Sequence, residues 1–313
     1  MGYINQRTAY GNTLVELGRE NRNIVVLDAD LCKSTMGQLF EQAIPERHIE
    51  AGIAEANMTS MAAGLAQTGK IPFTNSFAVF SAGRAYDQIR QTIAIGRLNV
   101  KICGSSAGLS DFGDGATHQS VEDIAYMRAI PNMTVLCPAD ANETQAAVRA
   151  MSETDGPCYI RLNRNDYENC TGEDTPFKIG KAKILRKGSE VAVFAIGYMV
   201  NLALEAAEQL ENKVSVRVIN LSTIKPLAPG YIEELAQGCS GIVTAEEHSI
   251  IGGLGSTVAE ALCKARKPIE FVGIQDTFGC SAHSYADVLS YHGLTADKIR
   301  RAIEKMADII RKQ

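Results

Sequence analysis

The run Ile24-Val25-Val26-Leu27, followed by a segment in which Ala54, Met58, Met61, Ala62 and Leu65 fall on one helical face, sets the pattern of the whole chain. A short β-branched run reads as a buried strand, and a longer one of helical period as a helix packed on it. The alternation continues outward. Val100 to Cys103, Thr134 to Cys137 and Tyr159 to Leu162 read as further strands, and Ala82, Tyr86, Ile89 and Ile93 share another helical face. Strands separated by crossover helices are the signature of a parallel α/β sheet. From Asn163 to Ser189 the composition turns polar and charged, with a possible strand around Phe177, Ile179 and Ile184, and this stretch reads as a linker. A second α/β pattern follows, with strands at Val191 to Ile196, Val214 to Asn220, Ile242 to Ala245 and Phe271 to Ile274, and helices near 200–211, 254–266 and 295–311. The expected fold class is α/β, with two parallel-sheet-rich domains over residues 1–168 and 189–313 joined by a linker at 169–188.

Composition narrows the function classes. With 313 residues, 45% hydrophobic and 21% charged, the chain can build real cores and is not disordered. The net charge is −5 and the lysines and arginines are dispersed, so neither a nucleic-acid surface nor an anionic-membrane surface is expected. No apolar stretch approaches the roughly 20 residues that cross a bilayer, and the N-terminus lacks a signal-peptide hydrophobic region, so a cytoplasmic protein is expected. Gly2 does not open a myristoylation signal, because Gln6 stands where Ser or Thr is required. The eight cysteines include no C-x-x-C pair and several sit in apolar runs, which reads as buried, reduced thiols. The five histidines are scattered, so no zinc site is legible and no metal ligand is assigned.

In an open α/β sheet, ligands bind beyond the carboxyl ends of the strands. Asp28, Asp30 and Ser34 follow the first strand, Glu55 follows His48 to Glu50, and Phe77 and Phe80 follow Ile71 to Phe73. Asp114 and His118 lie in a loop after Val100 to Cys103, and Arg164 follows Tyr159 to Leu162. Each has a plain alternative. Glu55 opens a helix, where the dipole alone favours a carboxylate; yet it shares a face with Met58 and Ala62, and a buried carboxylate needs a partner. Phe77 and Phe80 could be core, His118 merely exposed and Arg164 a surface charge.

The order of the strings is more specific. Gly52-Ile53-Ala54-Glu55-Ala56-Asn57-Met58, Thr74-Asn75-Ser76-Phe77-Ala78-Val79-Phe80, Arg84-Ala85-Tyr86-Asp87-Gln88-Ile89-Arg90 and Gly113-Asp114-Gly115-Ala116-Thr117-His118-Gln119 follow one another, and later come Thr223-Ile224-Lys225-Pro226-Leu227 and Glu246-Glu247-His248. Over essentially its whole length the chain resembles the C-terminal half of a transketolase, a pyrimidine-binding domain followed by the transketolase C-terminal domain. The resemblance implies thiamine diphosphate bound between two chains, with the aminopyrimidine here and the Mg2+-diphosphate held mainly by a partner subunit. Glu55 matches the glutamate that hydrogen-bonds the aminopyrimidine ring, where sharing a proton favours the imino tautomer that deprotonates the thiazolium. Phe77 and Phe80 match the aromatic wall against that ring, and Asp30 matches an aspartate near the cofactor. Arg7, Ser34 and Arg164 match substrate-phosphate contacts. His118 matches a substrate-contacting, catalytic position.

Two motifs are set aside. Gly113-Asp114-Gly115 with Asn142 imitates a Mg2+-diphosphate motif, but Asn142 falls at the start of a helix rather than after a strand. Gly252-Gly253-Leu254-Gly255 lacks dinucleotide spacing and reads as a tight helix start. The loop Gly104-Ser105-Ser106-Ala107 departs from family members that carry a histidine there, which leaves the donor sugar open. Met1 stands six residues before Arg7, where the additional N-terminal domain of a full-length transketolase would end. The expectation is one subunit of a split transketolase, or a fragment. As a split subunit it transfers a two-carbon ketol unit between phosphosugars, acting with a separate N-terminal subunit as a homodimer of this chain within a heterotetramer. The alternatives are the beta subunit of a 2-oxoacid dehydrogenase decarboxylating component, a deoxyxylulose-phosphate-synthase-like enzyme, and a non-catalytic regulatory paralogue.

Overall fold

Buried β-branched runs pair with one another before anything else, and here they build two sheets. The computed structural model describes residues 5–173 and 175–312; Met1, Gly2 and one position of the expected linker, 174, lie outside them. Strands β1 (Ile24–Asp28), β2 (His48–Glu50), β3 (Ile71–Phe77), β4 (Lys101–Ser105), β5 (Thr134–Leu136) and β6 (Cys158–Arg161) pair in parallel in the spatial order β5-β6-β4-β3-β1-β2. Every residue of β1, β4, β5 and β6 is buried, as a parallel sheet covered on both faces requires. Strands β7 (Lys183–Arg186), β8 (Val191–Ala195), β9 (Val216–Asn220), β10 (Thr223–Lys225), β11 (Gly241–Ser249) and β12 (Ile269–Ile274) follow. The second sheet runs β12-β11-β8-β9-β7, parallel except for β7, which pairs antiparallel with β9 at the edge.

The possible strand in the polar stretch is present at Ile184 as β7, a strand of the second sheet, and not at Phe177 or Ile179. Other features differ from the reading of the sequence. Strand β10 leaves its sequence neighbours and pairs antiparallel with β5, Thr223 opposite Leu136 and Lys225 opposite Val135, so that it becomes the edge of the first sheet. Three residues carry no period, so nothing local announces this exchange. The face of Ala82, Tyr86, Ile89 and Ile93 is wound largely as π-helix, over Val79–Arg84 and Ile89–Ala94, rather than as regular α-helix. All eight cysteines are free; Cys103, Cys137, Cys158 and Cys239 are buried as expected, whereas Cys263 is exposed where it caps the helix Leu254–Leu262 at the surface. No helix among the described residues is long and apolar enough to cross a membrane.

The domains are joined by buried polar groups. Arg161 at the end of β6 pairs through Nε with Asp123 at 2.9 Å, and its Nη2 donates to the Glu247 carbonyl at 2.7 Å. The Glu247 carboxylate in turn accepts from the Leu109 amide at 2.7 Å and the Tyr285 hydroxyl at 2.7 Å. Lys225 of β10 donates to the carbonyls of Arg128 and Ile130. These bonds satisfy charges that would otherwise be costly to bury, and they fix one sheet against the other.

Candidate active site

The helix Glu55–Gln67 forms because Met58, Ala62 and Ala63 face the core together, and this places its first residue at the carboxyl edge of the first sheet. Glu55 is only 2% exposed. Both of its carboxylate oxygens accept from Arg84 Nη1, at 3.0 and 2.9 Å, while the Arg84 side chain is half-exposed. Arg84 lies four residues after Phe80 on the π-wound segment, and its guanidinium sits 4.5 Å from the centre of the Phe80 ring.

Phe77 ends β3 and Phe80 follows one residue into the π-turn. Their rings lie 6.0 Å apart and nearly parallel, at 16°. His118 stands edge-on to both, 6.1 Å from Phe77 and 5.5 Å from Phe80. The Arg164 guanidinium lies 5.9 Å from the Phe77 centroid on the same wall and forms an ion pair with Asp111. The carboxylate, the two aromatics, the histidine and an arginine therefore meet at one edge.

Arg7 connects the remaining positions. Its Nη1 donates to the Ser34 carbonyl at 2.6 Å and its Nη2 to the Arg164 carbonyl at 3.0 Å. Arg7, Ser34 and Arg164 thus converge, with Ser34 engaged through its backbone oxygen. Burial, and then the neighbouring Arg164 charge, lower the Arg7 pKa, and its buried Nε has no hydrogen-bond partner among the described residues. Two adjacent guanidinium groups held in this way favour an anion. Asp30 is less integrated. It adopts φ 56° and its backbone amide donates to Glu50 Oε1 at 2.8 Å; among the described residues no hydrogen bond ties its side chain to the aromatic wall.

The motifs set aside have structural work. Asn142 lies in the first turn of the helix Ala141–Glu153 and donates to the Thr171 carbonyl at 2.8 Å. Gly253 precedes the helix Leu254–Leu262, whose first amides, from Leu254 and Gly255, donate to the Glu246 carboxylate at 2.6 and 2.8 Å.

Several site features escaped the sequence reading. Arg84 stood inside a quoted string, and its four-residue spacing from Phe80 was the available signal. Asp111 carried none. Ser105 and Ser106, noted in the sequence only for the histidine their loop lacks, are buried at the carboxyl end of β4 with hydroxyls that have no partner among the described residues. Asp28 and Cys32, either side of the loop after β1, and His48 at the start of β2 present ligand atoms within 4.8 Å of one another, a convergence that the scatter of histidines concealed.

Comparison with known proteins places these features in context. The family of transketolase pyrimidine-binding domains matches residues 3–169, and that of transketolase C-terminal domains matches residues 180–299. A putative transketolase C-terminal section from Methanocaldococcus jannaschii is 45% identical, with 97% of each chain covered. A 6-deoxy-6-sulfo-D-fructose transketolase subunit from a Clostridium species is 41% identical over 96% of this chain and 94% of its own. Among solved structures, a split-gene transketolase described as an inactive β4 tetramer superposes with a TM-score of 0.89 at 44% identity, covering 98% of this chain and 99% of that one.

Proposed function

The chain belongs to the transketolase family, and on that footing we propose that it is the C-terminal subunit of a thiamine-diphosphate-dependent transketolase that moves a two-carbon ketol unit from a ketose phosphate to an aldose phosphate, acting with a separate N-terminal subunit. The observation that carries this reading is the buried Glu55 carboxylate at the edge of the Phe77, Phe80 and His118 wall. These residues fit the aminopyrimidine end of the cofactor: flat apolar rings to hold a heteroaromatic, and a buried carboxylate whose present partner, Arg84, is half-exposed and free to give way. The Mg2+ ion and the diphosphate are assigned mainly to the partner subunit.

Thiamine diphosphate, when bound, supplies the electron sink for breaking the carbon–carbon bond. The residues of this chain position it and its substrate. Glu55 shares a proton with the pyrimidine ring nitrogen, and Phe77 and Phe80 keep the ring flat and dry. His118, edge-on at the mouth of the wall, hydrogen-bonds substrate hydroxyls and moves protons there. Arg7, Ser34 and Arg164 hold the distal phosphate, and Asp30 supports the cofactor from the end of β1. The paired arginines favour a phosphosugar over a 2-oxoacid, which carries no distal phosphate. Two copies of this chain with two N-terminal subunits give a cytoplasmic heterotetramer, with a C2 pair of this chain creating two equivalent sites. The test is transfer itself: the purified chain, its N-terminal partner, and the two mixed are each incubated with a ketose phosphate and an aldose phosphate. Two-carbon transfer is expected only in the mixture, and a folded mixture without transfer refutes the assignment.

A further inference from the structure

We propose that Asp28, Cys32 and His48 form a binding site for a divalent cation of the zinc class, its shell completed by water or the Glu41 carboxylate. The three side chains converge from the end of β1, the turn Cys32–Thr35 and the start of β2. His48 Nε2 lies 3.0 Å from Asp28 Oδ2 and 3.6 Å from Cys32 Sγ. Zinc bonds of about 2.0–2.1 Å to nitrogen and about 2.3 Å to sulfur set neighbouring tetrahedral ligands roughly 3.3–3.6 Å apart; both His48 pairs already stand near that spacing, and Asp28 and Cys32, within 4.8 Å of each other, close onto an ion by side-chain rotation. One ring nitrogen carries at most one proton and cannot donate fully to both neighbours. A cation engages all three.

The donor types and their support agree with this reading. Sulfur, imidazole nitrogen and a carboxylate together form the borderline-soft set that suits zinc and not magnesium or calcium. Asp28 is held from behind: its Oδ1 accepts from Thr35 Oγ1 at 2.9 Å and its Oδ2 from Asn75 Nδ2 at 3.2 Å. Asn75 is itself oriented by the Tyr10 hydroxyl, which donates to its Oδ1 at 2.5 Å. Such outer partners fix ligand orientation. Gly37 closes the backbone over the carboxylate, and a Cβ there would collide with Asp28 Oδ2. Glu41 Oε2 lies 3.5 Å from Cys32 Sγ on a half-exposed side chain that can swing toward the ion.

The ion would staple the Cys32–Thr35 turn to the sheet edge. Ser34 lies in that turn, so its carbonyl contact with Arg7 would be fixed as well. The inference does not depend on the proposed catalysis. In the test, the chelator-treated full chain is titrated with zinc against a chromophoric chelator and with cobalt(II) by absorbance, and Cys32 alkylation is followed by mass spectrometry with and without zinc. One ion per chain is expected, with a cobalt–thiolate charge-transfer band, at least tenfold slower alkylation of Cys32, and at least tenfold weaker binding in His48→Gln. Cys170→Ser should keep the stoichiometry. Absence of stoichiometric uptake, or uptake that leaves Cys32 alkylation unchanged in the wild-type chain, overturns the proposal without requiring any variant to fold.

Discussion

Glu55 has two competing partners in this account, the Arg84 guanidinium and the ring nitrogen of a bound cofactor, and only the second leads to chemistry. Replacing it with Ala or Gln in the assembled enzyme is expected to slow turnover by roughly 100- to 10,000-fold, the range for a lost acid–base group, while leaving assembly intact. Gln fails with Ala because an amide cannot share a proton with the ring. Steady-state rates together with sedimentation of the complex read both effects; normal turnover in either variant sinks the assignment. At Arg164, loss of one charged hydrogen bond to phosphate is worth about 1.5–3 kcal/mol, so Arg164→Ala should lower kcat/KM for phosphorylated substrates by roughly ten- to a hundredfold. Unphosphorylated ketoses should be barely affected, whereas a misfolded variant would depress both classes. Glu55, Phe77, Phe80 and His118 were legible because they lie at or after strand ends and inside ordered strings. Arg84, Asp111 and the Asp28, Cys32 and His48 cluster were not, since their roles come from side chains that meet only after the sheet has formed.

Among the elements, β11 carries adjacent groups whose titrations oppose each other. Burial lowers the His248 pKa to about 4, and its contacts suit a neutral ring, with Nδ1 donating to the Ser249 carbonyl at 2.7 Å and Nε2 accepting from the Ala125 amide. The unfolded chain takes up this proton near pH 6.5, so the His248 contribution to stability is present above that pH and is lost as pH falls toward 4. Burial raises the Glu246 pKa to about 7, so its contribution is present below about 4.5 and is lost as pH rises through 7. Each amounts to about 3 kcal/mol at 1.36 kcal/mol per unit, and over the shared window the two nearly cancel. In His248→Gln the Glu246 component is left uncompensated, and the variant should gain stability relative to wild type as pH falls from 6.5 to 4. Urea unfolding across this window checks it; parallel profiles would show that His248 does not titrate as described. Most strands and the helices Glu55–Gln67, Met199–Gln209, Leu254–Leu262 and Ala296–Arg311 were readable from period and β-branching, whereas the helix Gln6–Glu20 was not. The π-wound stretch shares its apolar face with an ordinary helix, and β10 is too short for any pattern, so both emerged only from tertiary pairing.

At the scale of the molecule, two sheets share a buried polar seam, and the first is completed by a strand from the second half of the chain. Removing one partner from this seam, as in Arg161→Met, leaves the buried Asp123 carboxylate without its counter-charge though still bonded by the Tyr159 hydroxyl, and about 3–5 kcal/mol of stability should be lost by chemical denaturation. A loss below about 1 kcal/mol would show that Arg161, through its bond to the Glu247 carbonyl, does not tie the two sheets together. The two-domain α/β architecture was readable from alternating segments, whereas the seam was not, because Asp123, Arg161 and Glu247 are far apart in sequence and look like surface charges until the domains close. The proposed site is likewise distributed, with its pyrimidine wall on this chain and the Mg2+-diphosphate site on a partner. Calorimetric titration of thiamine diphosphate with Mg2+ into this chain alone, and then into this chain saturated with its N-terminal subunit, tests that division most directly. Tight, Mg2+-dependent binding at one cofactor per pair of chains is expected only with the partner present; equally tight binding by this chain alone would contradict it.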